Sequence, residues 1–231
     1  MANSKYNNQY FSILGDSIST LDGYNPPECA VFYDWEQKSQ SGVRAPEDTW
    51  WGQVIEALGG QLLANNSWSG SLVCKHPACE IESYGCSDAR TGALGTEEQT
   101  PDVIMILLGL NDRGWGMRVT PGDGEEGLSV FSVAYAAMLE KLKRNYPRAE
   151  IWCLTLPQGK GGEFQGTAGR RITDYCEAIR DCGGQAGCKV VDIYHQEQPY
   201  DTIDGYHPTA EGMKTIASAV LEGLDVEWQD S

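Results

Sequence analysis

Long apolar runs are missing from this chain of 231 residues. No stretch approaches the ~20 residues that a bilayer-spanning helix needs, so no membrane span is expected. Positive charge is also scarce, with 17 Lys and Arg facing 33 Asp and Glu for a formal net charge of −16. Without a basic stripe to neutralise phosphates, nucleic acid and anionic membrane surfaces are repelled, and neither is expected as a partner. Phenylalanine occurs four times and histidine three times. The first scarcity argues against a broad aliphatic channel for long lipid tails, and the second leaves few candidates for a catalytic base. The stretch from Met1 to Tyr10 lacks the basic-then-apolar order of an export signal, which favours a cytoplasmic location. A signal trimmed from the chain would reverse that expectation to a secreted protein.

What is present is a globular composition, 41% hydrophobic and 22% charged, long enough to bury a substantial core. There is no internal repeat, low-complexity tract or linker, so one domain over 1–231 is expected, with enlarged loops at about 21–48 and 71–100. Eight cysteines occur, but a chain of this size does not need disulfide staples, and mostly free thiols are expected. Pairing within the 74–86 loop, or between Cys182 and Cys188, would fit an oxidising environment instead. Cys74, Cys79 and Cys86 with His76 lack the tight pairs of a zinc site, so no metal is expected there.

Five apolar segments read as buried strands: Tyr10–Leu14, Gln61–Ala64, Asp102–Leu108, Glu150–Thr155 and Lys189–Ile193. The third is an unbroken apolar run, which is what a parallel strand covered on both faces requires. Helical patterns fall between and after them, over Thr49–Leu58 (with Asp48 as cap), Leu128–Tyr146, Ala168–Cys182 and Thr209–Leu221. Alternating strands and helices predict an α/β fold: a mainly parallel five-stranded sheet in a three-layer α/β/α arrangement. In such sheets ligands bind where the loops leave the carboxyl ends of the strands. Those loops carry Gly15-Asp16-Ser17, then Asn66-Ser67-Trp68-Ser69-Gly70, then Gly109-Leu110-Asn111-Asp112, and near the end Asp204-Gly205-Tyr206-His207.

A serine hydroxyl needs a base to take its proton, and the base needs a carboxylate to orient it. Asp204 and His207, three residues apart, can be presented by one tight loop. Acyl transfer further needs donors for the developing oxyanion, and the Ser17 N–H, the Gly70 N–H and the Asn111 amide are candidates. His195 also follows a strand, but no carboxylate stands at the right spacing from it. Gly59 and Gly60 precede their strand and would lie at the wrong end of the sheet, which favours Gly70.

These four blocks, in this order from Gly15 to Pro208, resemble the SGNH (GDSL-type) esterase/lipase superfamily; the one departure in the first block is Ile18 in place of leucine. The resemblance implies a flavodoxin-like fold and a serine hydrolase that uses no metal or cofactor. Carried over position by position, it implies Ser17 as nucleophile, His207 as base, Asp204 as its orienting partner, and Gly70 and Asn111 in the oxyanion hole. Trp68 and Trp115 flank the oxyanion residues and are candidates for the substrate wall, because flat aromatic faces stack on sugar rings. Trp50 and Trp51 are expected in the core. The expected activity is hydrolysis of short acyl esters, acetyl foremost, on a glycan or another small polar alcohol. A lysophospholipase or thioesterase with a longer acyl pocket is the alternative enzyme, and a non-catalytic carbohydrate-binding relative the alternative of another class.

Overall fold

The computed structural model describes residues 5–77, 83–122, 127–160, 170–194 and 199–226, with backbone alone at 35, 225 and 226. At its centre lies β3 (Val103–Leu107), every residue of which is buried. Around it stand β1 (Tyr10–Gly15), β2 (Gln61–Ser67), β4 (Glu150–Leu154) and β5 (Lys189–Val191). The order across the sheet is β2-β1-β3-β4-β5, and every pairing is parallel.

Because side chains alternate across a strand, β3 feeds two separate cores. Ile104 and Ile106 face α5 (Phe131–Asn145) and α6 (Ile172–Gln185), where Phe131, Tyr135, Met138, Tyr175 and Ile179 are buried. Val103, Met105 and Leu107 face α2 (Trp50–Leu58) and α7 (Ala210–Val226), where Trp50, Trp51, Val54, Met213 and Val220 are buried. The three-layer reading therefore holds. Trp50 and Trp51 are core residues, and their indole N–H groups donate to the hydroxyl and the carbonyl of Ser19 at 3.1 and 3.0 Å.

Several boundaries differ from those read in the sequence. Thr49, not Asp48, caps α2, accepting the Gly52 N–H at 3.0 Å. Strand β2 runs on through the polar Asn65, Asn66 and Ser67, all of them buried. The 21–48 loop contains a short helix, α1 (Trp35–Ser41), capped by Asp34 and closed by Gly42, and the 71–100 loop contains another, α3 (Asp88–Gly92). The third predicted helix starts later than expected, at Ile172, and the last extends further, to Val226. Among the described residues no helix is long and apolar enough to cross a membrane.

Candidate active site

The chain goes from β1 outward to β2 on one side and then returns to β3 on the other. That reversal opens a crevice at the carboxyl ends of β1 and β3, the usual ligand position in such sheets. Ser17 follows β1 there, and Asn111 follows β3, at the start of α4 (Leu110–Gly114).

The turn that carries Ser17 is tight. A Cβ on Gly15 would stand 2.6 Å from the Ser19 hydroxyl and 2.9 Å from that of Ser67, so only glycine fits between these neighbours. Asp16 is fully buried and accepts the Ile18 N–H at 3.1 Å, capping the 3-10 turn Ser17–Ser19. Burial pushes its carboxyl up to about 7, against the pull of that hydrogen bond.

From Ser17 a relay crosses to the loop before α7. His207 Nε2 lies 2.9 Å from Ser17 Oγ, and His207 Nδ1 lies 2.6 Å from Asp204 Oδ2. An ionised carboxylate only accepts, so Nδ1 carries the proton and Nε2 is left to accept from the serine. Asp204 also accepts the N–H groups of Tyr206 at 3.0 Å and His207 at 2.8 Å through Oδ1, so the loop is folded around its own carboxylate. Partial burial raises the Asp204 carboxyl, but these amides and the imidazole outweigh it and hold the group below its ordinary value. Burial lowers the His207 imidazole, with Asp204 opposing it only in part. The ring is therefore neutral at neutral pH, the form able to take a proton.

Three donors are the candidates for an oxyanion site. Neither the Ser17 N–H nor the Gly70 N–H has an acceptor among the described residues. Gly70 has φ +78°, and nothing lies within 4 Å of where its Cβ would be, so it sits on an open left-handed turn. Asn111 Nδ2 donates one hydrogen to the Ser71 carbonyl at 3.0 Å, which orients the amide and leaves its second N–H over.

Three supporting residues had no role in the sequence reading, although Asp112 stood in the block that carries Asn111. Asp112 is fully buried, and its carboxylate accepts from the amides of Val73 at 2.8 Å and Cys74 at 3.0 Å, pinning the segment after Gly70 to α4. Burial raises it to about 6, opposed by those amides. Phe32, from the 21–48 loop, stacks on the His207 ring. Arg90, on α3, reaches beneath the nucleophile turn and donates to the Gly15 carbonyl at 2.9 Å. Phe32 and Arg90 come from segments far from the motifs in the chain, and nothing local in the sequence marks their place.

Of the two candidate wall residues, Trp115 is 57% exposed and lies against His76, with ring centroids 4.8 Å apart. Trp68 is half-buried, and its backbone N–H donates to the Gly15 carbonyl at 3.1 Å. A small cavity of about 50 Å³ is lined by Leu110, Arg113, Pro157, Tyr200 and Tyr206 among others, which include the chain neighbours of Asn111 and His207 but neither of those residues. A larger open groove, of about 1190 Å³, runs along α5 and α6 and is lined by none of the candidate residues. The seven described cysteines are free thiols; Cys182 donates to the Ser132 carbonyl at 3.4 Å and is not bonded to Cys188. Cys79 and His195 lie outside the described residues.

A parallel α/β sheet with a serine, a histidine and a carboxylate in hydrogen-bonded sequence at its carboxyl edge is the arrangement of a hydrolase of the acyl-transfer class. The model of the GDSL-like lipase/acylhydrolase family matches residues 9–224, and the chain belongs to that family and is a carboxylic ester hydrolase. Among solved structures it is similar to a protein described as a GDSL-like lipase from Bacteroides ovatus, at 25% identity and TM-score 0.73, covering 97% of this chain and 99% of that one. A Bacteroides uniformis protein of the same description matches at 28% identity and TM-score 0.72, covering 95% and 96%. The fold is also shared with a carbohydrate esterase family 2 enzyme from Corynascus thermopiles, at 20% identity and TM-score 0.57, covering 94% of this chain and 67% of that one. No curated protein matches the sequence.

Proposed function

We propose that this ester hydrolase removes short acyl groups, acetyl foremost, from an acylated carbohydrate. Ser17 Oγ attacks the ester carbonyl as His207 Nε2 takes its proton, and Asp204 stabilises the imidazolium that forms. The tetrahedral oxyanion is held by the N–H groups of Ser17 and Gly70 and by Asn111 Nδ2. Collapse breaks the bond to the alcohol, which leaves with the proton from His207. Water then gives a proton to the same nitrogen, attacks the acyl-serine and releases the acid.

The observation that carries this reading is the unbroken relay from Asp204 through His207 to Ser17, at 2.6 and 2.9 Å, with the Ser17 and Gly70 N–H groups lacking an acceptor among the described residues. The acyl preference rests on the small cavity lined by Leu110 and Tyr206, the chain neighbours of Asn111 and His207. At about 50 Å³ it is a third of the ~150 Å³ that accommodates benzene, which suits a group of two or three heavy atoms. The carbohydrate preference draws on the exposed Trp115 and on the net charge of −16, which disfavours anionic substrates. The Corynascus thermopiles protein of the same fold is described as a carbohydrate esterase with a carbohydrate binding domain, which adds to that preference.

A series of p-nitrophenyl esters of increasing chain length tests the acyl preference, and an acetate-release screen over acetylated glycans tests the alcohol. Highest kcat/KM at acetyl, with acetate released from at least one glycan, is the expected result. A maximum at eight carbons or more would replace this reading with a lysophospholipase or thioesterase. Ser17→Ala is expected to lower kcat at least ~10³-fold, and near-normal turnover in that variant would overturn the assignment of the nucleophile.

A further inference from the structure

We propose that Arg90 is a positioning residue of the oxyanion hole, holding the Gly70–Ser71 turn in register with Ser17. The inference rests on the roles just assigned to Ser17, Gly70 and Asn111. Arg90 is only 2% exposed, and its guanidinium fork joins segments that are otherwise separate. Nη2 donates to the carbonyls of Gly15 at 2.9 Å and Asn66 at 2.8 Å, and Nη1 donates to the Ser71 hydroxyl at 2.7 Å and to the Ser83 carbonyl. Gly15 ends β1 two residues before Ser17. Ser71 directly follows Gly70, and its carbonyl accepts from Asn111 Nδ2 at 3.0 Å. One planar group therefore ties the strand that delivers the nucleophile to the turn that carries one oxyanion donor. Through Ser71 it also reaches the side chain that carries another.

Stability alone does not account for this arrangement. None of the four acceptors is a carboxylate, and burying a cation among neutral groups is costly compared with apolar packing. Burial lowers the guanidinium to about 10, although Cys29 and Asp16 oppose the shift. Nε is buried without an acceptor among the described residues, a further cost. What the fork supplies is a fixed, flat set of donors, which the tetrahedral ammonium of lysine cannot reproduce. Oxyanion donors must be preorganised, because a displacement of about 1 Å can cost ~10²-fold in rate.

Arg90→Lys and Ser71→Ala test the proposal, with the parent and Ser17→Ala as controls. Turnover of p-nitrophenyl acetate is measured per active serine, counted by titration to completion with a fluorophosphonate, and thermal melts report folding. Arg90→Lys is expected to lose about 10²-fold in kcat per titrated site, with KM within about 2-fold of the parent. Ser71→Ala removes one bond of the fork and is expected to lose about 3- to 10-fold. It carries the test if Arg90→Lys does not fold. A merely structural Arg90 predicts parental kcat per titrated site in every folded variant, with losses confined to melting temperature or to the number of active sites. That result overturns the proposal. Near-normal turnover in Ser17→Ala would instead overturn the site assignment itself, so the two failures are distinguishable.

Discussion

The ring of Phe32 lies parallel to the imidazole of His207, with centroids 3.4 Å apart and planes 10° from each other. Phe32 is itself tied back to the nucleophile turn. Its N–H donates to the Thr20 hydroxyl at 2.9 Å, and that hydroxyl donates to the Ser17 carbonyl at 2.8 Å. The residue that covers the base is thus positioned by the backbone of the residue the base serves. Tyr33 adds a second tether, donating to the Pro208 carbonyl at 2.8 Å. Phe32→Ala removes the stack and opens the ring to water. About a tenfold loss of kcat on p-nitrophenyl acetate is expected from freer imidazole rotation. Less burial should also raise the imidazole, moving the acid limb of the pH–rate profile upward. A parental profile and rate in the alanine variant would mean that Asp204 alone orients the ring.

The lowered imidazole has its own consequence. The base works only when neutral, so kcat/KM should rise with pH through a value below the ordinary histidine range near 6.5 and be level at neutral pH. In Asp204→Asn the carboxylate that fixes the tautomer is gone, and kcat should fall by about 10⁴-fold. An acid limb centred above 7 in the parent would contradict the burial argument, and a loss under tenfold in the variant would contradict the role of Asp204.

Asp16 makes a prediction about stability with the opposite sign to that of an ordinary paired carboxylate. Its folded value, about 7, lies above the 3.8 of the free side chain. Between those values the folded chain keeps a proton that the unfolded chain has released, so this group's contribution to stability declines as pH rises and levels off above about 7. Asparagine cannot titrate but can still accept the Ile18 N–H. The melting temperature of Asp16→Asn relative to the parent should therefore climb between pH 5 and pH 8. A constant difference over that interval would show that the carboxyl is ionised throughout.

The parallel sheet was legible because β3 is apolar on both faces, and the candidate loops because three of them follow strands and the fourth precedes the last helix. Helix α1 was not: Trp35–Ser41 is almost wholly polar, and its ends are set by Asp34 and Gly42, not by an apolar stripe. The end of β2 was hidden for a similar reason. Asn65 and Asn66 look like turn residues, yet Asn65 Nδ2 donates to the Ser19 carbonyl at 2.8 Å and the Asn66 carbonyl accepts from Arg90. Buried polar groups satisfied by distant partners leave no trace in a local window. The same limit applied to the site. Ser17, Asp204, His207, Gly70 and Asn111 sit in short motifs, whereas Phe32 and Arg90 act through contacts that only the folded chain creates.

The last prediction concerns the alcohol side of the substrate. Trp115 is one of two large hydrophobic residues exposed among the described residues, at 57%, and it immediately follows the short helix that carries Asn111. Its ring leans on His76 at 52°, so one partner steadies it while the rest stays open to water. An indole kept in solvent beside a catalytic loop has stacking area to offer a sugar ring, and aromatic stacking is worth about 0.5–1.5 kcal/mol. Trp115→Ala should therefore raise KM for an acetylated oligosaccharide by about 2- to 10-fold and leave kcat unchanged. Neither constant should change for p-nitrophenyl acetate, which has no sugar to stack. Equal effects on both substrates would assign Trp115 to the stability of the loop around Asn111. No effect on either would remove it from the substrate wall and leave Trp68 as the remaining aromatic candidate.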